Sequence, residues 1–159
     1  MGTPEALQRF AERDYRAVVS AVARITGDHR DAADSVQDAL LALLENPRPV
    51  DNVAAWITVV ATNRLRDRQR RRAAESRALG RIGLVPDTIE MQILDADLRA
   101  AIEALPRRQR QICILHYVLD ESVESIALRL GVTGGAVKTH LFRGRRALAA
   151  RLSALDAAA

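Results

Sequence analysis

The sequence predicts an all-α protein of two small helical domains joined by a short linker, the C-terminal domain carrying a helix-turn-helix. Three observations predict it. Hydrophobic residues make up 48% of the 159 positions but aromatics only 3%, so the cores are expected to be Ala, Leu, Val and Ile packed between helices. Apolar residues recur at three-to-four-residue spacing in one segment after another, the period of a helix with one buried face. That periodicity weakens between Ala73 and about Glu90, where Gly80, Gly83 and Pro86 interrupt it, and resumes beyond. The expected boundaries are residues 1–73 for the N-terminal domain, 74–92 for the linker and 93–159 for the C-terminal domain, part of the linker being able to continue the preceding helix.

In the first expected helix, from about Pro4 to Ile25, Leu7, Phe10, Tyr15, Val18, Val19, Val22 and Ile25 fall inward, and Gly27 ends it. Asp28 or Asp31 caps a second helix that runs to about Glu45, with Val36, Ala39, Leu40, Leu43 and Leu44 as its buried stripe. Its first two turns are rich in carboxylates. The helix dipole accounts for part of that placement, and the remainder, with Gln37 and Asp38 outward, offers a surface to a basic partner. Asn46-Pro47-Arg48-Pro49 closes the helix, because proline lacks an amide hydrogen and disfavours helix in the residue before it.

Asp51 or Asn52 caps the third helix, whose apolar first half holds Val53, Trp56, Ile57 and Val60. Its second half carries Arg64, Arg66, Arg68, Arg70, Arg71 and Arg72, offset only by Asp67. Complementing a C-terminal dipole needs one or two cations, so this run points to phosphate contact. The formal charge of +4 matters because it is concentrated: acids lie early, between Asp28 and Glu45, and arginines crowd the span from Arg64 to Arg81 and again beyond Lys138. That division suggests two different partners.

The second domain opens with Leu94, Leu98, Ala101, Ile102 and Leu105 at helical spacing, and Pro106 starts a helix carrying Ile112, Cys113, Leu115 and Tyr117 that stops near Asp120. Ser122 then caps the first helix of a pair. Ile126, Ala127 and Leu130 form its apolar stripe, Gly131 supplies a left-handed stop, and Thr133 caps the second helix. There Val137, Leu141, Gly144 and Leu148 share one face, while Lys138, Thr139, Phe142, Arg143 and Arg146 fall on the other. A face of cations, a hydroxyl and an aromatic, entered through a tight turn, suits the major groove of DNA. The tail from Ala154 to Ala159 is expected to fray.

Other function classes find little support. The single cysteine, Cys113, excludes an intramolecular disulfide and a Cys-rich zinc site, and its apolar neighbours mark it as a packing residue. No HExxH or related spacing points to a metal, and no cofactor is expected. There is no phosphate-cradling glycine loop, no nucleophile with a nearby base and no paired carboxylates, so no catalytic residue is expected. With no apolar run long enough for a membrane span and no signal-peptide pattern, a cytoplasmic protein is the default.

Both halves resemble one family, the extracytoplasmic-function (ECF) sigma factors of bacterial RNA polymerase. GDHRDAADSVQDALLALLE is similar to their core-polymerase-binding helix, AAWITVVATNRLRDRQRRR to the helix that melts and reads the −10 element, and residues 104–148 to their −35-binding domain. The resemblance implies an all-helical initiation factor whose partners are the clamp helices of core polymerase, promoter DNA and an anti-sigma factor. It places Asp34, Gln37, Asp38 and Leu41 on the polymerase, and Asn46, Asn52, Trp56, Asn63, Asp67, Arg68 and Arg71 at the −10 element. The loop from Glu45 to Asn52 matches the one that captures a flipped base, although here it carries no aromatic. Lys138, Thr139, Phe142, Arg143 and Arg146 match the −35 contacts. Two features depart from the pattern: Gly134 and Gly135 open the recognition helix, and Arg66 replaces a residue that is more often apolar. The competing reading is a stand-alone regulator that uses only the C-terminal helix-turn-helix, with the N-terminal domain for dimerisation or sensing.

Overall fold

The computed structural model describes residues 2–79 and 96–158, and among these every regular element is helical. The chain divides into two compact units, Met1–Met91 and Gln92–Ala159.

In the first unit, α1 (Thr3–Arg9) passes through a π-helical turn (Phe10–Asp14) into α2 (Tyr15–Thr26), followed by α3 (Ala32–Glu45) and α4 (Val53–Leu79). Helices α2, α3 and α4 pack pairwise around Val18, Val22, Ile25, Val36, Leu43, Ile57 and Leu65, with Phe10 closing one end. The π turn interrupts what the periodicity predicts as one regular helix. Its wider turn shifts the register between α1 and α2; Phe10, Val18, Val22 and Ile25 are buried as the spacing predicts, and Leu7, Tyr15 and Val19 are partly buried. Gly27, at φ 74°, ends α2 in the left-handed conformation that a helix stop needs.

The turn into α3 is held by side chains. Thr26 Oγ1 donates to the Val22 carbonyl (2.7 Å) and accepts from the Asp28 amide (3.2 Å), while Asp28 Oδ1 accepts from the Asp31 amide (2.9 Å). Between the two acids proposed as the cap, Asp31 occupies the N-cap position, but its side chain makes no capping bond there. Leu44 corrects the expected stripe: it is 52% exposed, because the packed face of α3 is confined to Ala32, Ser35, Val36, Ala39 and Leu43. Asn52 caps α4, its Oδ1 accepting the Ala55 amide at 3.1 Å, and Asp51 Oδ1 accepts the Asn52 amide. Helix α4 runs on to Leu79, through residues 74–79 of the stretch read as linker; the remainder of that stretch, and Leu94, lie outside the described residues.

The second unit holds α5 (Ala96–Glu103), α6 (Arg107–Cys113) with a π turn (Ile114–Val118), α7 (Val123–Leu130) and α8 (Gly134–Ala158). Helices α5, α6 and α7 all pack on α8, burying Ile102, Leu105, Ile112, Leu115, Ile126, Val137 and Leu141. The π turn here also shifts the register. Within it Tyr117 is 48% exposed and its ring stands edge-on to His116. Asp120 then reverses the chain at φ 54°. The tail departs from its expected fraying: α8 remains helical to Ala158, a length that its Ala- and Leu-rich composition favours even though the last turns are exposed.

Candidate functional site

The helix-turn-helix is assembled by short-range bonds. Ser122 Oγ accepts the Ser125 amide at 3.1 Å, Gly131 stops α7 at φ 65°, and Thr133 Oγ1 accepts the Ala136 amide at 3.1 Å to start α8. A contact that helical spacing did not reveal braces it from beneath. The buried Glu121 carboxylate receives Arg129 Nε at 2.7 Å, and the Glu121 carbonyl lies 2.8 Å from His116 Nδ1, tying the turn after α6 to α7.

With that frame set, α8 packs Val137, Leu141 and Gly144 inward and leaves Lys138, Thr139, Phe142, Arg143 and Arg146 exposed on its other side. Phe142 is 54% exposed, and the Arg146 guanidinium lies over its ring, 5.7 Å from the centroid. Thr139 Oγ1 donates to the Gly135 carbonyl at 3.0 Å, so its hydroxyl oxygen faces solvent as an acceptor. At Gly134 and Gly135 an added Cβ would meet only ordinary contacts, at 3.9 Å in each case. Packing inside the unit therefore does not require glycine at either position. The core behind this helix also sets the state of Cys113, since burial pushes its thiol above the ordinary range.

In the first unit the outer face of α3 presents Asp34, Gln37, Asp38 and Leu41 at helical intervals, and the outward Leu44 extends it. Leu41 and Leu44, each 52% exposed, make an apolar strip beside the carboxylates. Continuing the spacing of that outer face by one turn would have found Leu44; its apolar character sent it inward instead.

Trp56, Asn63, Asp67 and Arg71 share one side of α4. Arg68 does not. It turns with Arg64 and Arg72 toward α3, where it pairs with Asp38 and donates to Ser35 Oγ at 3.3 Å. Arg72 pairs with Asp31, and that hydrogen bond holds its guanidinium above its ordinary value. Arg70 pairs with Asp67 one turn away. The loop that carries Asn46 and Asn52 borders an open cavity of about 720 Å³, lined by Pro47, Arg48, Pro49 and Asp51 and floored by Leu43 and Val53. Arg48 stands over the Trp56 ring, 5.7 Å from its centroid. Asn46 is exposed, whereas the Asn52 side-chain oxygen is engaged in its capping bond.

Residues 10–75 match the family described as Sigma-70 region 2, and residues 95–148 match Sigma-70, region 4. SigL of Mycobacterium tuberculosis, an ECF RNA polymerase sigma factor, is 30% identical across 94% of this chain and 91% of its own length. The chain belongs to the ECF sigma factors. It carries regions 2 and 4 in order and is a promoter-recognition factor of the transcription machinery. SigE of Mycolicibacterium smegmatis is 31% identical across 91% of this sigma factor, which spans only 59% of SigE's length. In the solved structures, the sigma factor RpoE from Bartonella quintana, in complex with the anti-sigma factor NepR, superposes with a TM-score of 0.75 at 25% identity, covering 92% of this chain and 95% of RpoE. CnrH, in complex with the cytosolic domain of CnrY, shares the fold at a TM-score of 0.61 and 24% identity, covering 96% of this chain and 91% of CnrH. Among the described residues of this sigma factor no group of three or more His, Cys, Asp or Glu is placed to hold a metal ion. Among the same residues no helix is long and apolar enough to cross a membrane.

Proposed function

We propose that the two units divide the work of initiation, residues 1–73 holding core polymerase and the −10 element and residues 93–159 holding the −35 element. On this reading Asp34, Gln37, Asp38, Leu41 and the added Leu44 dock on the polymerase clamp helices, with the leucines supplying desolvated area and the acids supplying orientation. Trp56, Asn63, Asp67 and Arg71 meet the separated −10 strand directly. Arg68 joins them once it leaves Asp38. Lys138, Thr139, Phe142, Arg143 and Arg146 enter the major groove, Phe142 against a thymine methyl and Arg143 at guanine or phosphate.

The flipped-base function of the loop is supported by the cavity beneath it. Extracting a base costs a few kcal/mol, and Arg48 stacked near Trp56 offers a planar cation where the loop itself has no aromatic. Asn46 then supplies an amide for the base edge, with Asn52 acting mainly as the helix cap. We assign no bond-making or bond-breaking step to this chain, place it in the cytoplasm with its polymerase, and expect an anti-sigma partner of the kind bound to RpoE of Bartonella quintana.

The observation that carries the reading is the segregation of faces: acids and leucines outward on α3, and a DNA-suited face of cations, hydroxyl and aromatic outward on α8. Duplex promoter binding, measured by anisotropy with and without core polymerase, tests it. Weak binding by the isolated chain that becomes tight on adding core is expected. Tight, site-specific binding by the isolated chain, unaffected by core, would favour a stand-alone regulator.

A further inference from the structure

Arg64, Arg68 and Arg72 stand one turn apart along a single edge of α4 and reach α3 in succession. Arg64 Nη1 donates to the Asp38 main-chain carbonyl at 3.3 Å, Arg68 pairs with the Asp38 carboxylate and donates to Ser35 Oγ, and Arg72 pairs with Asp31. The central pair is partly desolvated, the two side chains being 35% and 38% exposed. Asp38 and Arg68 nevertheless belong to different interfaces on the reading above. A carboxylate held by Arg68 is a poorer acceptor for a cation of the polymerase, and a guanidinium held by Asp38 is less available to a phosphate.

We propose that the Asp38–Arg68 pair couples the two interfaces. A cationic group of the polymerase arriving at α3 takes Asp38 from Arg68, and the freed guanidinium swings to the phosphates of the separated strand. Coupling of this kind is reciprocal, so single-stranded DNA held by Arg68 also prepares Asp38 for the polymerase. It explains why an arginine so placed is turned away from the side of α4 that carries Asn63, Asp67 and Arg71. The inference rests on the assignment of α3 to polymerase and α4 to DNA.

Anisotropy of a fluorescent oligo-dT strand of about 20 nucleotides with the full chain at about 0.1 M salt, without polymerase, tests the coupling. Asp38→Asn should tighten binding by about fivefold or more, the lower end of ordinary coupling between sites. Glu12→Gln, which removes the same charge from an exposed position assigned to neither interface, should change binding by less than about twofold. In an Arg68→Gln background the gain from Asp38→Asn should vanish. Thermal melts of each variant establish that it is folded, and Asp38→Ser serves as a second variant at the same position. Equal effects of Asp38→Asn and Glu12→Gln, or a gain that survives Arg68→Gln, would overturn the coupling and leave the polymerase assignment standing. Failure of the wild-type chain to assemble with core polymerase, read separately by gel filtration, would overturn both.

Discussion

Gly144 packs so closely on Cys113 that a Cβ at that position would lie 2.5 Å from Sγ, well inside contact distance. The glycine lets α8 settle against α6, which keeps Val137 and Leu141 buried and the basic face outward. Gly144→Ala should therefore destabilise the C-terminal unit by about 1–3 kcal/mol, the range for overpacking a tight core. Urea unfolding checks it, and Cys113→Ala in the same background should recover part of the loss. The thiol adds a pH signature. Its value is raised in the folded state by burial, so below the unfolded thiol's value the contribution is fully present, and it falls as pH rises through the folded value. Stability should decline on the alkaline side in the wild type and decline less in Cys113→Ala.

The Glu121–Arg129 pair lies beneath the turn of the helix-turn-helix, with side chains 4% and 13% exposed. Removing the carboxylate takes from Arg129 its pairing with Glu121 at a largely buried site, so Glu121→Ala should lower stability by about 3–5 kcal/mol. The double variant Glu121→Ala with Arg129→Met should be more stable than Glu121→Ala alone. A double-mutant cycle by thermal unfolding measures the difference, and strictly additive losses would mean that the pair is not coupled.

Arg143→Ala should weaken or relax recognition at one upstream promoter position by about 1–3 kcal/mol, leaving assembly with polymerase unchanged. Competition binding by the holoenzyme against single-base variants of the −35 element reads this out. A uniform loss at every sequence would instead place Arg143 on phosphate.

Leu44→Glu should leave the melting temperature within about 2 °C of wild type, because the side chain is already half in water. It should weaken capture of core polymerase by roughly tenfold or more, as expected when a charge enters the apolar part of an interface. Undiminished capture would end the α3 surface at Leu41.

Local rules account for most of what was legible in the chain. Ser122, Gly131 and Thr133 punctuate the helix-turn-helix by chemistry confined to a few neighbouring residues, and the 3.6-residue period separates Val137 and Leu141 from Phe142 and Arg143 without tertiary information. The misses have physical causes of their own. The π turns at Phe10–Asp14 and Ile114–Val118 are register shifts that no regular period anticipates, and Leu7, Tyr15 and Val19 sit at the margin of the buried set, only partly covered. Leu44 is apolar without being core, a combination that composition cannot distinguish from burial. Arg68 reads as one more cation in a run, and its attachment to Asp38, 30 residues earlier, depends on the antiparallel packing of α3 on α4.

Once seated on core polymerase, this chain selects where transcription begins. In vitro transcription from a fragment library with core polymerase, with and without the purified chain, followed by mapping of 5′ ends, tests it directly. Chain-dependent starts are expected, each preceded by shared upstream sequence elements at fixed spacing and lost with Asp38→Arg. Identical starts with and without the chain would contradict it.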